Sequence, residues 1–284
     1  MLRRTFGYLV ARDPAKASEA SQQLERDGYT VLRGVFTDAE IEALRQDIDR
    51  VFDEYPRDNR AGDLRPADED DMFRYEMFNR SDAALAAVAK KAILDTIEPL
   101  LGEDCHIIAN TAWRNLAHHE GTHGGQAWHI DAGPHIPLRE GETWPADLPH
   151  PVFAIGTHIF LKDCGPDDGP TGVIPGSHLS GRFPPREQFM DPDLTWQGNA
   201  VVPLLAKAGD VAMFVSDIWH RRMPAGPDDA GRYFLQVHYG RRDIAQRVQP
   251  TSQTNHVAKP IRENIEDDRA RLLLGLHPSR FYDG

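Results

Sequence analysis

Gln126-Ala127-Trp128-His129-Ile130-Asp131 decides how this chain is read. On extended backbone, residues i and i+2 point to the same side, so His129 and Asp131 aim at one point while Ile130 points away. By the same parity Gln126 and Trp128 face away from that point. Far downstream stands a second imidazole, His220, in Asp217-Ile218-Trp219-His220, and Arg232 follows it by 12 residues. Two neutral imidazoles and one carboxylate can bind one face of an Fe(II) ion and leave three positions open for a co-substrate and O2. Such a centre carries a charge of about +1, and a dianionic 2-oxo acid would bring it to about −1. Arg232, at the start of a strand, is placed to hold the far carboxylate of 2-oxoglutarate with paired charge-assisted bonds. Phe234, Gln236 and His238 share its face, and the polar ones suit a pocket lining.

A His-x-Asp pattern is short, and 13 histidines give it room to arise by chance. The surrounding sequence must therefore supply a frame. The chain has 284 residues, 40% of them hydrophobic, which is ample for one sizeable core. With 23 Gly and 21 Pro the sequence suits many turns between short strands. After Cys105, extended runs alternate with turn clusters: 107–116, 126–131, 152–162, 201–205, 211–215 and 233–239. This spacing predicts an antiparallel barrel or jelly roll with helices at both ends. The expected layout is a single domain over 1–284: a helical part over 1–104, a β-barrel core over 105–245, and a C-terminal extension over 246–284 whose helix runs 261–274.

Before the barrel, Ala15 to Arg26 reads as a helix ended by Asp27-Gly28, and Tyr29 to Val35 as a short strand. Thr37-Asp38-Ala39-Glu40 is a capping box, with Phe36 and Ile41 placed for a hydrophobic staple. The helix it starts carries Ile41, Leu44, Ile48, Val51 and Phe52 near a 3.6-residue period. Ser81 caps another helix that runs to Gly102. The stretch 57–71, charged and turn-rich, reads as a mobile loop, and 134–151, rich in Pro and charge, as a candidate lid.

Several function classes are disfavoured. A net charge of −12 opposes a sequence-independent grip on nucleic acid or anionic lipid. No apolar run approaches the roughly 20 residues that span a bilayer. Two cysteines, Cys105 and Cys164, argue against a disulfide framework and a thiolate metal site, so a reducing cytoplasm is the expected compartment. His119-Glu120-Gly121-Thr122-His123 spells a zinc-peptidase motif, but Gly121 and Gly124-Gly125 oppose the helix that motif needs. His178 reads better as an anchor of its turn than as a metal ligand. Arg221, Arg222, Arg241 and Arg242 read as a solvated barrel rim, or as one arginine that recognises an anionic group on the substrate.

The chain resembles the phytanoyl-CoA dioxygenase family of Fe(II)/2-oxoglutarate oxygenases, and the matching segments come in order. They are Asp27-Gly28-Tyr29-Thr30-Val31-Leu32-Arg33-Gly34-Val35-Phe36; Trp128-His129-Ile130-Asp131; Gly172-Val173-Ile174-Pro175-Gly176-Ser177-His178; and Gly209-Asp210-Val211-Ala212-Met213-Phe214 followed by Trp219-His220-Arg221. The resemblance implies a double-stranded β-helix, iron on His129, Asp131 and His220, 2-oxoglutarate on Arg232, and O2 as oxidant. It also points to Arg114, Asn115 and Thr157 as further co-substrate contacts. Many members carry Ser or a small residue two places after the distal His, where this chain has Arg222. Relatives that halogenate leave the carboxylate position to chloride, so Asp131 implies oxygen chemistry with release of succinate and CO2: hydroxylation first, with desaturation, epoxidation or ring closure as the open alternatives. The expected substrate is a small-molecule metabolite or natural-product intermediate, with His135, Arg222 and Gln236 as candidate contacts. The alternatives are a non-catalytic module that binds metal and 2-oxoglutarate, and a metal enzyme on the same barrel that does not use 2-oxoglutarate. Substrate identity and oligomeric state stay open at this level.

Overall fold

The computed structural model describes residues 17–54, 72–118, 124–131, 133–244 and 263–276, together with the backbone of a two-residue strand pair, β1 (Arg4–Thr5) and β2 (Tyr8–Leu9). The segments 57–71 and 119–123 lie outside the described residues, so the loop and the zinc-type motif read there are not placed.

Helix α1 (Glu19–Asp27) starts where the Ser18 hydroxyl accepts the Ser21 N–H. Strand β3 (Tyr29–Leu32) follows at once. The capping box forms as expected: Thr37 N–H donates to Glu40, and Glu40 N–H donates to the Thr37 hydroxyl. It opens α2 (Asp38–Glu54), whose Ile41, Leu44, Ile48, Val51 and Phe52 are all buried. Ser81 caps α3 (Asp82–Val88), accepting from Ala84 N–H at 2.9 Å. The single helix expected up to Gly102 is two, with a break at Ala89-Lys90 before α4 (Lys91–Leu101). The closing helix is shorter than 261–274: α5 spans Asp268–Leu273 behind an Asp267 cap. No helix among the described residues is long and apolar enough to cross a membrane.

Two antiparallel sheets form the jelly roll. The larger has the order β3-β9-β6-β11-β5-β4, with β4 Phe73–Tyr75, β5 His106–Asn115, β6 Ala154–Phe160, β9 Val211–Val215 and β11 Arg232–Gly240. The smaller has the order β10-β7-β8, with β7 Thr171–Val173, β8 Val202–Pro203 and β10 His220–Arg222. Both edges of the larger sheet come from the first third of the chain, so the helical part and the barrel share one sheet. Period-2 alternation divides that sheet's residues between two environments. Ile155, Ile159, Met213, Leu235 and Val237 join the buried cluster that includes the α2 side chains. Phe160, Ala212, Phe214 and Phe234 face the smaller sheet in a second apolar cluster with Val173 and Ile218.

The Pro-Gly-Ser-His turn is structural, as its sequence suggested. Ser177 Oγ accepts the Trp219 N–H at 2.8 Å, one residue before His220. His178 is 1% exposed, with Nε2 3.0 Å from the Glu25 carbonyl. Burial pushes the His178 imidazole down to about 4, although that hydrogen bond opposes the shift. Its folded value lies below its unfolded value of about 6.5, so the unfolded chain binds the extra proton between those two pH values. Stability should therefore fall as pH drops from about 6.5 to 4, with this one group contributing on the order of 3 kcal/mol. Burial moves His106, His150 and His158 in the same direction. Denaturant melts of wild type and His178→Asn across this window test the point. The variant should show a flatter pH dependence, and equal slopes would refute the assignment.

Candidate active site

The segment 126–131 runs beside β10 as a further, irregular member of the smaller sheet. His129 and His220 form a reciprocal backbone pair, with N–H to carbonyl distances of 2.9 and 3.0 Å. This pairing brings two imidazoles 91 positions apart in sequence to a ring separation of 4.3 Å. Each ring is oriented the same way. His129 Nδ1 lies 2.8 Å from the Ala127 carbonyl, and His220 Nδ1 lies 3.0 Å from the Ile218 carbonyl. A carbonyl can only accept, so each Nδ1 carries the proton and each Nε2 keeps its lone pair. The two Nε2 atoms lie 3.9 and 3.4 Å from Asp131 Oδ1. The nearest donor atoms of all three residues fall within 4.8 Å of one another. Two imidazole lone pairs and one carboxylate oxygen on a common point fit a divalent first-row metal with open positions.

Burial acts to raise the Asp131 carboxyl, but His220 and His238 outweigh it and hold the group well below the usual carboxylate range. His238 Nε2 stands 3.3 Å from Asp131 Oδ2. Burial, then His220, pushes His129 down, which favours the neutral form that ligates metal. Burial acts to lower the His220 imidazole, but Asp131 outweighs it and raises the group.

A cavity of about 290 Å3 opens from this point between the sheets. Trp113, His158, Phe214, Phe234, Gln236 and His238 line its larger-sheet wall, and Thr171, Arg221, Arg222 and Gln126 its opposite side. Arg232 lies along the same cavity, 7% exposed, with Nη2 3.3 Å from Asn115 Oδ1. Burial, then the neighbouring charge of Arg222, pushes Arg232 down to about 9, so it remains a cation at neutral pH.

The residues expected at the site therefore separate. His129, Asp131, His220, Arg232, Arg222 and Gln236 meet in one cavity, with Asn115 beside Arg232. Arg114 does not join them: it lies on the opposite face of β5, bonded to Asp49 at 2.8 Å and stacked on Phe52. Thr157 is also on the helix-facing side of β6, between Val237 and Met213. His135 does not line the cavity among the described residues. Its Nδ1 sits 2.7 Å from Asp217 and its ring stacks on Phe153. Parity failed at Gln126, which lines the cavity because 126–131 is not a regular strand. The rim reading fails for Arg221 and Arg222, each 3% exposed. His158 and Trp113 were not anticipated. His158 sits in the alternation register of β6 opposite Gln236, and that register is the signal that could have found it.

Gly231 sets where Arg232 enters its strand. Its φ is +80°, and a Cβ there would lie 2.3 Å from the Asn115 carbonyl oxygen. Gly231→Ala is expected to cost about 2 kcal/mol, to lower Tm by roughly 4–8 °C, and to raise the 2-oxoglutarate requirement by displacing Arg232. A thermal melt at the wild-type temperature would contradict this.

Residues 24–223 match the model of the phytanoyl-CoA dioxygenase (PhyH) family. Among solved structures, the epimerase SnoN in complex with Fe3+, alpha ketoglutarate and nogalamycin RO is 19% identical with a TM-score of 0.59, covering 81% of this chain and 85% of that one. HygX from Streptomyces hygroscopicus, with nickel and 2-oxoglutarate bound, is 15% identical with a TM-score of 0.58, covering 80% and 88%. The carbocyclase SnoK from nogalamycin biosynthesis is 17% identical with a TM-score of 0.57, covering 80% and 85%. At these identities the structures establish a shared fold. The family model spans well over half of the sequence, including His129, Asp131 and His220, and this chain belongs to the phytanoyl-CoA dioxygenase family.

Proposed function

We propose that the protein is an Fe(II)- and 2-oxoglutarate-dependent oxygenase that hydroxylates a small-molecule natural-product intermediate, using His129, Asp131 and His220 as iron ligands and Arg232 as the co-substrate anchor. One observation carries the reading: three metal donors and a buried guanidinium lie along one cavity. When bound, iron and 2-oxoglutarate supply the oxidising power through decarboxylation to succinate and CO2 with O2. The protein's own residues do the rest. The Ala127 and Ile218 carbonyls fix the tautomer and tilt of the two imidazoles. Arg232 pairs with the far carboxylate and sets how deep the co-substrate lies. Phe214, Phe234 and Trp113 exclude water from the space between them. His129, with 41% of its side chain exposed, marks the cavity mouth where substrate would enter. The relatives support a bulky small molecule as substrate, since SnoN was captured with nogalamycin RO and HygX with hygromycin B. We further infer that the N-terminal third acts with the barrel as one domain, because β3 and β4 border the sheet that carries Arg232.

The test is succinate release with Fe(II), ascorbate and a natural-product library, followed by product mass. A gain of one oxygen is the expected result. Substrate conversion without succinate would replace this reading with a metal enzyme that does not use 2-oxoglutarate. Conversion by a metal-free His129→Ala variant at the wild-type rate would remove the metal site from the account.

A further inference from the structure

We propose that Arg222 is a second co-substrate residue, so that the far carboxylate of the 2-oxo acid is gripped between two guanidinium groups, Arg222 and Arg232. The inference rests on the functional reading above and goes beyond the single anchor assumed there. Arg222 and Arg232 bound the turn 223–231, one ending β10 and the other beginning β11, and therefore stand on facing sheets. Arg222 lies two residues after His220 and shares its face, so it points into the same cavity. It is 3% exposed, yet its Nε, Nη1 and Nη2 have no hydrogen-bond partner among the described residues. Arg232 Nε is likewise buried and unpartnered. A guanidinium offers five donors and no acceptor, and burying it without an anion is strongly unfavourable.

Nearby acids are turned to the backbone instead: each of their oxygens takes an N–H, and none is hydrogen-bonded to Arg222 among the described residues. Asp168 accepts the Ala230 and Gly165 N–H groups, and Asp229 accepts those of Gly231 and His118. Gly169 adds to the case: a Cβ there would lie 2.8 Å from Arg222 Nε, so the chain leaves the space that the guanidinium occupies. The two arginines also share surroundings. Arg222 is the largest charge acting on Arg232, and Asp229 acts on both. Two like charges held together out of water call for a shared anion, and a planar carboxylate can accept from two forks. The chemical class selected is a 2-oxo acid with a second, distal carboxylate. An anionic group on the oxidised substrate is the competing partner for Arg222, and the shared surroundings favour the co-substrate.

The experiment is calorimetric titration of the Mn(II)-loaded protein, which needs no turnover, with 2-oxoglutarate and with 2-oxobutanoate, which lacks the distal carboxylate. Arg222→Gln should weaken 2-oxoglutarate on the order of 10- to 100-fold and leave 2-oxobutanoate unchanged. Arg222→Lys keeps the charge without the fork, should fall between wild type and Arg222→Gln, and guards against misfolding of the glutamine variant. The Arg222→Gln/Arg232→Gln double variant should bind the two acids alike. Unchanged 2-oxoglutarate affinity in Arg222→Gln would overturn the proposal and leave Arg222 to the substrate. Equal weakening of both acids would also overturn it, as damage to the metal end. Failure of the wild-type, Mn(II)-loaded protein to bind 2-oxoglutarate would instead sink the functional reading on which the proposal rests.

Discussion

Asp131→Asn should reduce succinate release to background and weaken Mn(II) binding by on the order of 100-fold or more, beyond the loss typical of residues that only support a ligand. The carboxylate is the sole negative charge among the three donors. Its Oδ1 lies 3.4 Å from His220 Nε2, and its Oδ2 lies 3.3 Å from His238 Nε2. An amide keeps the shape and removes the charge. Two neutral imidazoles then leave the centre at its full +2, with no anion to offset the desolvation of the ion. The backbone pairing of His129 with His220 does not depend on this side chain, so the metal-free variant should still fold. Metal binding and folding can therefore be scored separately: Mn(II) titration for the first, a melt for the second. Wild-type Mn(II) affinity in a folded Asp131→Asn protein would remove Asp131 from the ligand set.

Arg232→Ala should act on co-substrate rather than on metal. We expect the 2-oxoglutarate KM to rise on the order of 100-fold, with kcat at saturating co-substrate much less affected. Removing the side chain takes away a buried cation and leaves Asn115 facing empty space. The chelating end of 2-oxoglutarate would still meet the metal, so binding is weakened rather than lost. Mn(II) affinity should stay within a few fold of wild type, which separates this variant from Asp131→Asn. An unchanged KM would exclude Arg232 from the co-substrate site.

The candidate metal set was legible because one half of it is local and the other lies in a motif. His129 and Asp131 share a face over two residues, and the distal His lies in a recognisable strand pair. Arg232, Phe234, Gln236 and His238 were legible by alternation, because β11 is regular over that stretch. What failed was face assignment where register is set from a distance. Arg114 and Asn115 are adjacent in sequence and lie on opposite faces. Only pairing with β11, Asn115 to Arg232 and Arg114 to Tyr233, decides which one enters the cavity. Thr157 fails for the same reason, and His158 is the residue that alternation delivers instead. His135 looked available for substrate because its partner, Asp217, lies 82 positions away. Burial of Arg222 could not be read from a run of charged residues, since it depends on which turn covers it.

The β3–β9 pairing bears on synthesis. Tyr29 sits opposite Phe214, so the strand at the N-terminal edge of the larger sheet has no partner until the chain has grown by about 185 residues. At ordinary elongation rates of about 5–20 residues per second, that wait is roughly 10–40 s. During it the strand offers an unpaired edge beside the apolar stripe of α2, which invites misassociation between nascent chains. Slowing translation between codons 33 and 210 should therefore lower the soluble yield more than the same delay placed after codon 244.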